Sequence, residues 1–235
     1  MFLTRFRVNT ARTDARRLLS APQTMHAAVM ASFPQVLPTA EQTPRVLWRT
    51  DRNATAEVLL FVVSPDRPDL THLVEQAGWP AAAASGTPGW ETYAYTPFLE
   101  RLEKGTDWNF RLTANPVHHA RTHDGQPTKR TAHLTPRHQL QWLLARQDPA
   151  GFRVLSNPDN RRITEHGNEH QITVRDQRSL NFGKRSAPGR VTLTTVTYDG
   201  RLQVTDPDAL RHVLTSGLGK AKAYGCGLMT LAPVG

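Results

Sequence analysis

Two stretches of the chain carry residues whose types and spacing suit chemistry on a phosphate. One is Gly217 to Pro233, GLGKAKAYGCGLMTLAP, where Gly217, Gly219, Gly225 and Gly227 let the backbone approach a ligand while Lys220 and Lys222 supply positive charge. Its spacing matches neither common nucleotide loop. A dinucleotide fingerprint needs Gly at 222, where Lys stands, and a Walker A loop needs Ser or Thr after Gly-Lys, whereas Gly219-Lys220 precedes Ala221. A helix C-cap running into a bent edge strand would use the same glycines. The other stretch holds His26, about 100° around a helix from Met25 and at the edge of an apolar face made by Met25, Val29 and Ser32 or Phe33. An imidazole titrates near neutrality and can accept or donate a proton there. The chain has ten histidines, so residue type alone does not select this one.

Seven of the other histidines invite a metal reading: His118, His119 and His123, then His133 and His138, then His166 and His170 beside Glu165 and Glu169. Gly167 interrupts the helix that would align His166 with His170, and no cysteine is near, so no metal or other cofactor is expected. Three basic clusters suit a polyanion instead: Lys129 with Arg130; Arg175, Arg178, Lys184 and Arg185; and Lys220 with Lys222. Solvated loops would carry the same charges. The net charge of +9 on 235 residues is unevenly placed, because residues 1–100 hold nine basic and nine acidic side chains. All of the excess therefore falls after residue 100. Of the 29 basic residues 24 are arginine, whose planar fork pairs with phosphate and stacks on bases, which makes nucleic acid the leading partner class.

Several segments together resemble the CasE family of CRISPR repeat endoribonucleases. These are the glycine-rich segment, the opening MFLTRFRVN, the Met25-His26 helix ending Ser32-Phe33-Pro34, Phe110 to Pro116 (FRLTANP), Gln139 to Leu143 (QLQWL) and Tyr198 to Asp206 (YDGRLQVTD). The resemblance is collinear from residue 1 to 235. It implies metal-independent cutting of CRISPR repeat RNA, by attack of a ribose 2′-OH on its own 3′-phosphate with a 5′-oxygen leaving, and continued binding of the repeat hairpin within the Cascade complex with its other subunits. It also places the family's catalytic histidine on His26. A tyrosine commonly stands three positions earlier in that family, and here the position is Gln23. A non-cleaving hairpin-binding module of the same fold is the alternative, favoured by that substitution.

The elements that must position these residues follow from periodicity. Phe2 to Val8 alternates as a strand, and Thr13 to Phe33 reads as helix punctuated at Ala21-Pro22. Arg45 to Thr50 and Glu57 to Val63 read as strands about an Asp51-Arg52-Asn53 turn, followed by a short helix stopping at Gly78. Pro80 to Gly89 is the expected linker. In the second part come a strand near Trp108 to Ala114, a basic His-rich loop, and a helix capped by Thr135 with Pro136 at its first position. Phe152 to Leu155 is a further strand. Arg190 to Tyr198 and Arg201 to Val204 are expected to flank an Asp199-Gly200 hairpin turn, before a helix from Asp206-Pro207 and a last strand at Leu228 to Leu231. Asn157 to Gly189 is polar and expected to order in part only on RNA. The expected fold class is α+β, two tandem ferredoxin-like βαββαβ domains at 1–89 and 90–235. A longest apolar run of six residues, Val58 to Val63, provides no membrane span, and the single Cys226 excludes an internal disulfide, which together suggest a cytoplasmic protein.

Overall fold

The computed structural model describes residues 1–34, 45–53, 57–80, 86, 88–120, 129–158, 169–183 and 190–235. They form two compact units, each a mixed α/β structure on an antiparallel sheet. The first unit comprises Met1–Arg101 together with Thr215–Gly217 and Lys222–Leu228; the second comprises Leu102–Leu214, Leu218–Ala221 and Met229–Gly235.

In the first unit, β1 (Phe2–Val8) is followed by α1 (Thr13–Ser20), α2 (Pro22–Met30), β2 (Leu47–Arg52), β3 (Val58–Ser64), α3 (Thr71–Ala77), β4 (Trp90–Ala94) and α4 (Thr96–Glu100). The sheet order is β2-β3-β1-β4, with Phe6 opposite Leu60 and Phe2 opposite Ala94. Alternation along β1 buries Thr4, Phe6 and Val8 and leaves Arg5 and Arg7 outside. The inner residues join Leu18, Met25, Val29, Trp48 and Leu73 in one core, where each large apolar side chain contributes about 1.5–3 kcal/mol. Because β4 pairs with β1, the division between units falls at Arg101/Leu102 and not at 89/90. Asp51 and Arg52 continue β2 instead of turning the hairpin, whose connection at 54–56 lies outside the described residues. The expected linker lies largely outside them as well.

The second unit runs β5 (Asp107–Ala114), β6 (Val117–Ala120), β7 (Lys129–Ala132), α5 (Pro136–Gln147), β8 (Phe152–Val154), β9 (Ile172–Gly183), β10 (Arg190–Val204), α6 (Pro207–Ser216) and β11 (Met229–Pro233). Its sheet order is β11-β5-β10-β8, with β9 also on β10, and β6-β7 makes a separate ribbon inside the stretch expected to be a loop. Thr135 caps α5 by accepting from the His138 N–H, and Asp206 caps α6 by accepting from the N–H groups of Asp208 and Ala209. On α5 the buried residues are Gln139, Trp142 and Leu143.

One expectation fails here for an identifiable reason. Asp199-Gly200 is not a turn: β10 is one 15-residue strand, with Asp199 opposite Arg111 and Gly200 opposite Phe110. Arg111 Nε and Arg175 Nε each donate to the Asp199 carboxylate at 2.5 Å, which staples β5 and β9 to β10. At Gly200 a Cβ would meet the Gln171 carbonyl at 2.5 Å, so glycine is required by packing and not by a bend. Residues 159–168 and 184–189 lie outside the described residues, while part of the polar stretch Asn157 to Gly189, in which no strand was expected, forms β9. Its polar alternation concealed a 12-residue strand, because its partner supplies the ladder and most of its side chains remain outside.

No helix among the described residues is long and apolar enough to cross a membrane. Cys226 is buried, and burial pushes its thiol up to about 12, away from thiolate chemistry.

Candidate active site

His26 owes its place to the way α2 starts and to its period. Pro22 occupies the first turn, where its fixed φ suits a helix and its missing N–H costs nothing, and Met25 and Val29, one turn apart, anchor the helix in the core. The next position round, His26, is left half-buried. Its Nδ1 is shielded from solvent and has no hydrogen-bond partner among the described residues. Burial lowers its pKa below the ordinary value of 6.5. An imidazolium here would need an acceptor for a buried Nδ1–H, so the site favours the neutral ring. Gln23, three residues earlier and therefore on the same helix face, also has a buried Oε1 without a hydrogen-bond partner among the described residues.

The glycine-rich segment divides between the units. Lys222–Tyr224 forms a 3-10 turn that packs against both α2 and β2 within the first unit. This brings the backbone bearing Lys222 to the helix that bears His26. Three glycines make the approach possible. Gly217 has φ +80° and a Cβ there would meet Leu47 Cδ2 at 2.9 Å; Gly225 has φ +79° and its Cβ would meet the Trp48 ring at 2.7 Å; Gly227 has φ +90° and is buried. Gly219, with φ +84°, and Lys220 belong to the second unit.

A residue that sequence reasoning missed fixes this arrangement. Arg49, 1 % exposed, donates from Nε and Nη2 to the two Asp51 carboxylate oxygens at 2.6 and 2.9 Å, and from Nη1 to the Leu228 carbonyl at 2.9 Å. It thereby ties the end of the glycine-rich segment to β2. The signal was present as Arg-x-Asp in a strand, because residues two apart share a face. An isolated buried carboxylate or guanidinium would be costly, and each satisfies the other.

The other basic residues have distinct surroundings. Arg175 is paired with Asp199 and Asp176, whereas Arg178 is exposed and forms no ion pair among the described residues. Lys220 is exposed. Lys129 and Arg130 lie on β7, paired through the backbone with Ala120 and His119, and their side chains are outside the described set. Lys184 and Arg185 lie outside the described residues altogether. Among the described residues no group of three or more His, Cys, Asp or Glu is placed to hold a metal. The rings of His118, His133 and His138 instead lie side by side, tilted by 33° and 40°, with centroids 4.4 and 5.8 Å apart along the series.

Comparison with known proteins gives this geometry a family. The family model described as CRISPR associated protein matches residues 1–233. The CRISPR-associated endoribonuclease Cse3 of Thermus thermophilus is 30% identical over 237 residues, covering 99% of this chain and 100% of that protein. The Cascade subunit CasE of Escherichia coli is 28% identical over 200 residues, covering 80% of this chain and 89% of that protein. The structure of Thermus thermophilus Cse3 bound to an RNA representing a pre-cleavage complex superposes with a TM-score of 0.74 at 28% identity, covering 99% of this chain and 98% of that one. The chain therefore belongs to the CRISPR-associated protein family that includes Cse3 and CasE.

Proposed function

We propose that the protein is an endoribonuclease that cuts CRISPR repeat RNA without a metal ion, using His26, and that it keeps the repeat hairpin as a subunit of a Cascade complex. Each unit is read as a ferredoxin-like domain, since β2-β3-β1-β4 and, from the other edge, β8-β10-β5-β11 are the same order, with a helix after the first and third of these four strands in chain order. The observation that carries the functional reading is the half-buried His26, its Nδ1 without a hydrogen-bond partner among the described residues, on a helix packed against the turn bearing Lys222.

In the proposed step the neutral His26 ring takes the proton of a ribose 2′-OH. The 2′-oxygen forms a bond to the adjacent phosphorus, the bond from phosphorus to the 5′-oxygen breaks, and that oxygen leaves with a proton from water. The products are a 2′,3′-cyclic phosphate and a 5′-OH. Nucleophile and phosphate belong to one nucleotide, so the protein's work is to hold them in line and to offset charge on the phosphoryl oxygens. Lys222 is the cation assigned to that charge. Gln23 takes the place of the family tyrosine, as a hydrogen-bond donor through its amide.

Incubating labelled repeat RNA with the protein in EDTA tests this directly. Wild type is expected to cut, RNA with 2′-deoxy at the scissile position to stay intact, and His26→Ala to lose about 10²- to 10⁴-fold in rate. Intact RNA with wild type would support the non-cleaving hairpin binder, the reading that Gln23 favours. Cutting that requires a divalent ion would overturn the mechanism.

A further inference from the structure

Basic side chains converge on a cavity of about 500 Å³ in the second unit, whose wall includes His118, Trp142, Arg146, Gly219 and Lys220 and no acidic residue. Its size is that of a small-ligand site. The Trp142 ring gathers two of its walls: the Arg146 guanidinium carbon stands 4.3 Å from the ring centroid, and a Cβ on Gly219 would lie 3.0 Å from Trp142 Cζ2. One indole thus holds α5 and the Leu218–Ala221 segment to the same place. His118 reaches the cavity from β6, with its ring centroid 4.4 Å from that of His133. Lys220 and His118 are exposed and Arg146 is half-buried, so solutes can reach all three.

These groups lack the counter-charges that other cations of the unit possess. Arg111 and Arg175 face Asp199, and Arg211 faces Asp208, whereas His118, Arg146 and Lys220 form no ion pair among the described residues. The surrounding potential is positive as well. Burial lowers the His133 pKa below its ordinary value, and the charges of His118, His138 and Arg146 lower it further, with no carboxylate acting against them. Like charges gathered in a concave site repel one another and draw in an anion. Arg146 is also set in place before one arrives. Its Nη1 donates to the Trp142 carbonyl at 2.8 Å while the indole face holds its head, and its other N–H groups have no hydrogen-bond partner among the described residues.

We propose that this cavity is a subsite for a phosphate group, bound by Arg146 and Lys220 through charge-assisted hydrogen bonds and by His118 through a ring N–H. The guanidinium fork matches two phosphate oxygens, and the ammonium adds a point charge. A backbone diester of RNA and a free phosphate share this chemistry. RNA is the source that the endoribonuclease reading calls for, but the subsite itself stands without that reading.

Full-length protein labelled with ¹⁵N-histidine tests this through the His118 ring resonance, assigned with His118→Asn. It is titrated with dimethyl phosphate, a diester without base or sugar, with inorganic phosphate, and with potassium chloride at matched ionic strength. At least one of the two phosphates is expected to shift the resonance saturably, and chloride to leave it in place. Arg146→Gln and Lys220→Ala are each expected to weaken that binding about tenfold, the effect of losing one good hydrogen bond, with the remaining histidine resonances confirming the fold. A resonance unmoved by either phosphate, moved equally by chloride, or reporting unchanged affinity in either variant would overturn the subsite. Saturation with repeat RNA carrying 2′-deoxy at the scissile position separates the sources. Loss of the phosphate response assigns the cavity to the RNA backbone, and a response that persists assigns it to a free phosphate. Cutting of unmodified repeat RNA is measured on the same wild-type preparation. Cutting without a phosphate response would sink the subsite alone, and a phosphate response without cutting would sink the endoribonuclease reading alone.

Discussion

At the scale of the residue, His26 is suited to the proposed role of proton acceptor by burial more than by partnership. No carboxylate among its described contacts orients the ring, and burial is what keeps it neutral. The sign of the pH dependence follows. As base, it is active in the deprotonated form, so the cleavage rate should rise with pH and level off, with a midpoint below 6.5. A rate profile that falls through that region would make His26 the acid. Stability should move the same way: the unfolded chain takes up the proton first, so the contribution is whole above about 6.5 and is lost as the pH drops through the lowered folded value. His133, whose pKa burial also lowers, adds to that loss. Neither the burial nor the orphaned nitrogen could be read from sequence. The spacing put His26 at the edge of an apolar face, but whether an edge is wet or dry depends on what packs over it.

At the scale of the element, the deciding piece is the short turn at Lys222–Tyr224 and the glycines that let it reach α2 and β2. Gly225→Ala is expected to destabilise the protein by about 1–3 kcal/mol, because the new Cβ meets the Trp48 ring and the φ of +79° is strained for alanine. Urea unfolding measures that loss, and a midpoint within error of wild type would show that the loop simply relaxes. The glycine pattern was legible from spacing; its structural service was not. Glycine can signal a C-cap, a turn or a close approach, and only the position of Trp48 decides among them. The Asp199-Gly200 pair shows the same limit. Local turn chemistry pointed to a hairpin, and two arginines on neighbouring strands together with a crowded glycine overrode it.

At the scale of the molecule, the +9 charge is a guide to partner class but not to which cations meet it. Arg175 already faces two carboxylates, while Arg178 stands exposed. Arg178→Ala should therefore lower the slope of log affinity against log salt by about one for repeat RNA, and Arg175→Ala should leave it nearly unchanged. Equal effects from both would mean that RNA displaces the Asp199 and Asp176 pairs. The alternation, the cap residues and the order of most elements were legible in sequence because they are local. The paths of β9 and of the chain's last twenty residues were not, because distant partners determine them.

That last stretch has a consequence for how the protein comes into being. The first unit contains residues 1–101 but is completed only by Thr215–Gly217 and Lys222–Leu228. During synthesis the helix with His26 emerges early, yet Arg49 has no Leu228 carbonyl and Trp48 no Gly225 against it until those later residues have been made. A chain stopped after Ala221 should accordingly show protease sensitivity in β2 and α2 as well as at its new end; protection equal to full length there would refute this. The first unit is thus completed only by a segment that follows the body of the second unit in the chain, and the site proposed at His26 waits for it.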